Sequence, residues 1–159
     1  MQIVRIAAEN FLYRIVKIMP DDDFDLLEFG DALLREASVG GMPVSGALQL
    51  HYRFNRPVGQ ADEVHLALPV RAFAEDYDGL FHLKRTESFC CITDVVHGNI
   101  GAFTERWRKL ERCASMLRLE RGESYREILA STEEQNSGFR ILQLEVRDTT
   151  QQRRYQCPF

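Results

Sequence analysis

The stretch HGNIGAFTERWRKLERCASMLRLERGESYREIL, residues 97–129, anchors the reading of this chain. Apolar residues recur at Ile100, Phe103, Trp107, Leu110, Ala114 and Leu117. Gaps of three and four keep one side of a 3.6-residue helix apolar, so the spacing predicts an amphipathic helix. Asn99 can cap its start, because a side-chain carbonyl accepts a hydrogen bond from a free N–H of the first turn. After Gly122 the period falls to two. Tyr125, Glu127 and Leu129 share one face of a strand, and Arg126 and Ile128 share the other. A carboxylate between an aromatic and an aliphatic on one strand face is a candidate binding group. Its competing reading is an exposed acid or an ion pair with an arginine.

Outward from that stretch the same alternation of periods continues. Ile3 to Ile6 and Phe11 to Ile18 are rich in β-branched and aromatic residues and read as strands. Asp21, Asp22 and Asp23 precede a helical run with Leu26, Phe29, Leu33 and Ala37 on one side. Aspartates there supply a cap and suit the helix dipole. Gly40, Gly41 and Pro43 end that helix. Leu48, Leu50, Tyr52 and Phe54 alternate with Gln49, His51 and Arg53, the pattern of a half-buried strand. A loop over 55–62, a strand from Val64 to Val70 and a polar connector from Arg71 to Gly79 follow. Strands are then expected at Phe81 to Glu87, Phe89 to Val96, Ser124 to Ala130 and Phe139 to Val146. The polar tail, 149–159, reads as a surface strap.

The order strand, helix, strand, strand occurs twice, and the copies match residue against residue. Gly46 falls on Gly122 at an offset of 76 (122 − 46), as do Leu66 on Leu142, Leu68 on Leu144 and Val70 on Val146. Leu33 and Ala37 fall on Leu110 and Ala114 at 77, and Glu9 and Phe11 on Glu87 and Phe89 at 78. Internal repeats fix architecture. Here they imply one domain over 1–148, built from repeats of about 1–71 and 80–148. The fold class is α+β: two units share one curved antiparallel sheet, with both helices on one side and a cleft on a pseudo-twofold axis. Such clefts are common ligand sites. By these offsets the first half has His51 where the second has Glu127, and Gly30 where the second has Trp107.

Composition narrows the function. A chain of 159 residues, 45% apolar and 28% charged, suits one folded domain. A net charge of −4 disfavours a dedicated nucleic-acid binder, and Glu105, Glu111, Glu120 and Glu123 interleave the basic residues of the second helix. The N-terminal apolar stretch is broken by Arg5, Glu9, Arg14 and Lys17, so neither a signal peptide nor a membrane span is expected, and a cytoplasmic location follows. Cys90, Cys91, Cys113 and Cys157 show no CxxC spacing and read as reduced thiols. The four histidines lack HxH or HExxH spacing, and the aspartate run lacks the glycine and glutamate of a calcium loop. No metal and no cofactor are expected.

The ordered set of Leu68-Pro69-Val70, His97-Gly98, Trp107, Leu110 and Tyr125-Arg126-Glu127 resembles the GyrI-like small-molecule-binding domain, over roughly Ile3 to Arg147. That domain is the effector-binding half of many bacterial multidrug-sensing regulators and also occurs alone. The resemblance implies a pocket for flat, lipophilic, cationic compounds, with Glu127 opposing the ligand charge. Tyr125, Trp107 and Phe89 would form aromatic walls, with Leu129 and His65 at the remaining ligand-facing positions. Two of these depart from the family pattern. His65 stands where a glutamate is usual in the first half, and Leu129 where a tyrosine follows the strand glutamate. No helix-turn-helix precedes the first strand, so direct DNA binding is not expected. Some members hydrolyse cyclopropane-bearing compounds, which would make Glu127 a general base. Gyrase-inhibiting members suggest a third reading, a protein-interaction module. Binding, hydrolysis and protein interaction all stay open at this level.

Overall fold

A computed structural model of the chain describes residues 1–17, 26–53, 63–97, 103–129 and 139–148. The elements are β1 (Gln2–Ile6), β2 (Glu9–Lys17), α1 (Leu26–Val39), β3 (Gln49–Arg53), β4 (Glu63–Val70), β5 (His82–Thr86), β6 (Phe89–His97), α2 (Phe103–Met116), β7 (Leu119–Leu129) and β8 (Phe139–Asp148). The strands form one antiparallel sheet in the order β1-β6-β8-β7-β3-β4-β2-β5, curled as a half-barrel. The class is α+β. Both helices pack on one face, α1 against β2 and β4, and α2 against β6, β7 and β8; among the described residues they do not touch each other. No described helix is long and apolar enough to cross a membrane.

Exchanging β1 with β5, β2 with β6, β3 with β7 and β4 with β8 reproduces the same strand order read backwards. Each half therefore has a strand ahead of the expected strand-helix-strand-strand unit, and that strand leaves its own half. β1 pairs with β6, and β5 pairs with β2. The registers also refine the repeat. β2 and β6 have the same alternation of buried and exposed residues when Leu12 falls on Ile92 and Val16 on Val96, an offset of 80 (92 − 12) rather than 78. The match of His51 with Glu127 fails by one residue. In the β3–β7 ladder Leu50 pairs with Glu127 and His51 with Arg126. The helix offset of 77 also carries Leu50 onto Glu127, so the pseudo-twofold axis passes at that pair.

One hydrophobic cluster lies under each helix. Leu12, Leu33, Leu50, Leu66 and Leu68 belong to the first, and Ile92, Trp107, Leu110, Leu142 and Leu144 to the second; Tyr52 packs against both. Each fully buried aliphatic or aromatic side chain contributes roughly 1.5–3 kcal/mol. The other face is not left to solvent. β3 was expected to be half-buried, yet Gln49, Leu50 and His51 are all buried, as is every residue from Val64 to Val70. Curvature is the reason. Arg126 on β7 reaches Glu9 and Phe11 on β2, three strands away in the sheet, and Phe89 on β6, two strands away on the other side. A flat sheet would set β2 and β7 about 14 Å apart. The helix-free face is therefore concave, and its side chains converge.

Local departures have local causes. α2 stops at Met116 because Arg118 takes a left-handed φ of 56°, which leaves Leu117 half exposed instead of on the buried side. β7 starts at Leu119, ahead of Gly122, and its register to β8 shifts between Arg121 and Tyr125. A side chain on Gly122 would collide with Glu145, whose carboxylate accepts the Ser124 N–H and hydroxyl, each at 3.1 Å. The connector between the halves is tied to α1 by Glu36, which accepts from the Tyr77 hydroxyl at 2.9 Å. Cys91 and Cys113 are free thiols, whereas Cys90 is disulfide-bonded, which corrects the all-thiol reading. The expected Asn99 cap, the aspartates at 21–23, Ile100, the loop over 55–62 and the tail over 149–159 lie outside the described residues.

Candidate functional site

Strand β7 places two adjacent charges on opposite faces beside the axis. Glu127 points to the helix face and Arg126 to the concave face.

On the helix face Glu127 is 1% exposed. The Tyr52 hydroxyl donates to its Oε2 at 3.1 Å, and Arg140, from β8, donates to its Oε1 and forms an ion pair with it. Burial pushes the carboxyl up from its ordinary 4.5, and the charge of Arg140, then the two hydrogen bonds, oppose that. Tyr52 is held well above 10, first by burial and then by the Glu127 charge. Trp107 is fully buried with its ring 4.9 Å from that of Tyr125, whose hydroxyl burial pushes up to about 12. Leu129 is half-buried against the first cluster, and its N–H donates to Leu48 O at 2.9 Å. Four of the expected site residues, Glu127, Trp107, Tyr125 and Leu129, thus lie on the helix face. The pseudo-symmetry explains the departure at Leu129. Its equivalent at an offset of 77 is Tyr52, so the hydroxyl that reaches the acid comes from the first half.

The two other expected residues, Phe89 and His65, lie on the concave face. There they meet residues that the sequence reading did not select. Arg126 is 4% exposed, with its guanidinium carbon 4.4 Å from the Phe89 ring centre and 5.5 Å from that of Phe11. Its Nη1 lies 3.6 Å from Glu9 Oε1, beyond hydrogen-bond length, and has no hydrogen-bond partner among the described residues. His51 pairs across the ladder with His65. Its Nε2 donates to Gln49 Oε1 at 2.8 Å, and its ring meets Phe11 edge-on at 4.8 Å. His65 stacks on Tyr13 at 4.7 Å, and its Nδ1 is 3.1 Å from Lys84 Nζ. An ammonium can only donate, so Nδ1 accepts and His65 is neutral. Burial, followed by the charges of Lys84 and Arg126, holds His51 well below 6.5. Burial also raises Glu9, with Arg126 opposing, and lifts the Cys91 thiol to about 12.

The two faces differ in what they can do. Five of the six buried polar residues among those described, Gln49, His51, His65, Arg126 and Gln143, lie on the concave face. Around this floor Glu9, Tyr13, Phe89, Thr93 and Ile128 are half-buried. An apolar and aromatic concavity with a few convergent polar groups is the usual form of a small-molecule site. The signal for it was present in the sequence. Histidine, glutamine and tyrosine stand at positions where a solvent-facing strand usually carries lysine, glutamate or threonine. Among the described residues no three metal-ligating side chains converge.

No family model matches the chain, and no curated protein is similar to it in sequence. Solved structures share its fold. The C-terminal domain of EcmrR is 11% identical with a TM-score of 0.74, over 92% of this chain and 96% of that one. A hydrolase encoded by lin2189 from Listeria innocua is 12% identical with a TM-score of 0.64, over 92% and 91%. SAV2435 bound to tetraphenylphosphonium is 8% identical with a TM-score of 0.56, over 92% and 93%. The chain shares the fold of these proteins, as the ordered motifs led one to expect, and among them SAV2435 is bound to tetraphenylphosphonium.

Proposed function

We propose that this protein binds a lipophilic aromatic small molecule on the concave face of its half-barrel. One observation carries the reading: a face without helices has a buried polar floor and a half-buried aromatic rim. Phe89 and Tyr13 are the rim walls, and Arg126, His51 and Gln49 are the polar groups that orient the ligand. Calorimetric titration with naphthalene-2-methanol, a neutral probe, tests it. Phe89→Ala and Tyr13→Ala should each weaken binding about threefold to tenfold, in line with roughly 0.5–1.5 kcal/mol for one aromatic contact. Unchanged affinity in both variants rejects the concave site.

The cationic ligand opposed by Glu127 is a second reading. It is favoured by a carboxylate that is 1% exposed and by the cation held in SAV2435. In this reading the ligand enters between the helices and takes over from Arg140, whose side chain is 28% exposed. Glu127→Gln keeps the shape and removes the charge. Loss of tetraphenylphosphonium binding in that variant alone, with Phe89→Ala unaffected, selects this reading. Recovery of the titrated compound in altered form selects the hydrolase alternative.

A further inference from the structure

We infer that the concave site selects anions, and that its ligand is a planar aromatic carboxylate held by Arg126. The inference rests on the concave-face reading above and adds the charge of the ligand.

A cation seat exists on this face, but the protein fills it. Phe89 and Phe11 offer their ring faces, and Glu9 offers a carboxylate. These are the groups that would hold a lipophilic cation. Arg126 sits among them. A ligand cation would meet a guanidinium already stacked at 4.4 Å on Phe89, with Lys84 stacked 4.6 Å from the Tyr13 ring on the same face.

An anion meets the opposite situation. Arg126 is 4% exposed, and its Nη1 makes no hydrogen bond among the described residues. Its nearest acid, Glu9, stops at 3.6 Å and is itself 31% exposed, a partner that can turn to water. A guanidinium presents parallel N–H groups that match a carboxylate in both spacing and plane. Planarity of the ligand follows from the aromatic rings around it. Phe89 and Tyr13 bound the concavity on opposite sides of Arg126, because β6 and β2 flank β7 in opposite directions along the sheet.

The test uses two probes of one shape and opposite charge, naphthalene-2-carboxylate and naphthalen-2-ylmethylammonium, on the full chain by calorimetry. The carboxylate should bind at least tenfold more tightly than the ammonium. Arg126→Gln should abolish that preference. Glu9→Gln removes the acid with which the ligand competes at the half-exposed rim, and should tighten carboxylate binding severalfold. Should Arg126→Gln not fold, Glu9→Gln still decides the matter, since weaker or unchanged carboxylate binding there overturns the inference. A preference for the ammonium in the wild type overturns it as well. These outcomes are separate from failure of the concave site. If the neutral naphthalene-2-methanol still depends on Phe89 and Tyr13, the site stands and only its charge selectivity falls.

Discussion

The two faces of the sheet are both buried, by different means. On the helix face two helices cover aliphatic side chains, and the buried acid Glu127 has its partners within reach. On the concave face curvature buries histidine, glutamine and arginine, and Arg126 is left with an unused donor. Burial alone does not mark a site. What separates the faces is the state of their buried charges: the Glu127 carboxylate holds two hydrogen bonds, whereas the Arg126 guanidinium keeps a donor whose free-energy cost a ligand can relieve.

The largest expected contrast is in stability. Trp107→Ala should cost about 3–5 kcal/mol, because it opens a cavity under α2. Phe89→Ala, at a half-buried rim position, should cost under about 2 kcal/mol while still weakening ligand binding. Urea midpoints of the two variants check this. Equal losses would mean that the concave rim is core and not site. Tyr52→Phe should come next, at about 1.5–3 kcal/mol, for a hydrogen bond to a charged acceptor. A loss near zero in the same titration would show that Arg140 alone satisfies Glu127.

The smallest effects are in pH dependence, and they run in opposite directions on the two faces. Glu127 has its folded value raised above 4.5, so the native state holds that proton more tightly. Its contribution is fully present below 4.5 and is lost as pH rises through the raised value. His51 has its folded value lowered below 6.5. Its contribution is present above 6.5 and is lost as pH falls from there through the lowered value. Thermal melts should therefore show Glu127→Gln gaining on the wild type as pH rises, and His51→Gln gaining as pH falls. A parallel pH dependence in all three proteins would contradict the burial of both groups.

The fold was more legible in the sequence than the site was, for a reason visible at single residues. Period-two alternation placed Tyr125, Glu127 and Leu129 on one face, and the ladder pairs them with Tyr52, Leu50 and Leu48. The repeat offsets at Leu33, Leu66 and Leu68 held. The match of Glu9 with Glu87 was two residues off, an even error that keeps every side chain on its face. The match of His51 with Glu127 was one residue off, and an odd error crosses the sheet. His65 and Phe89 were grouped with Glu127 by the family resemblance, which does not report the face on which each side chain lies. Arg126 went unselected because alternation reports two faces but not which of them is curled inward. The convergence of Arg126, Glu9 and Phe89 is a product of curvature, and curvature has no period.

The exchange of outer strands has a consequence for how this chain is made. β1 leaves the ribosome well before its partner β6, which follows only after the whole first repeat and the start of the second, since Gln2 pairs with Thr93. At about 5–20 residues per second β1 waits several seconds with an open edge. Its own half cannot shelter it, because the edge place beside β2 belongs to β5, which is also still to come. Neither repeat can finish before the other has begun. The price is slow, long-range closure, and the result is a molecule whose two halves are completed together.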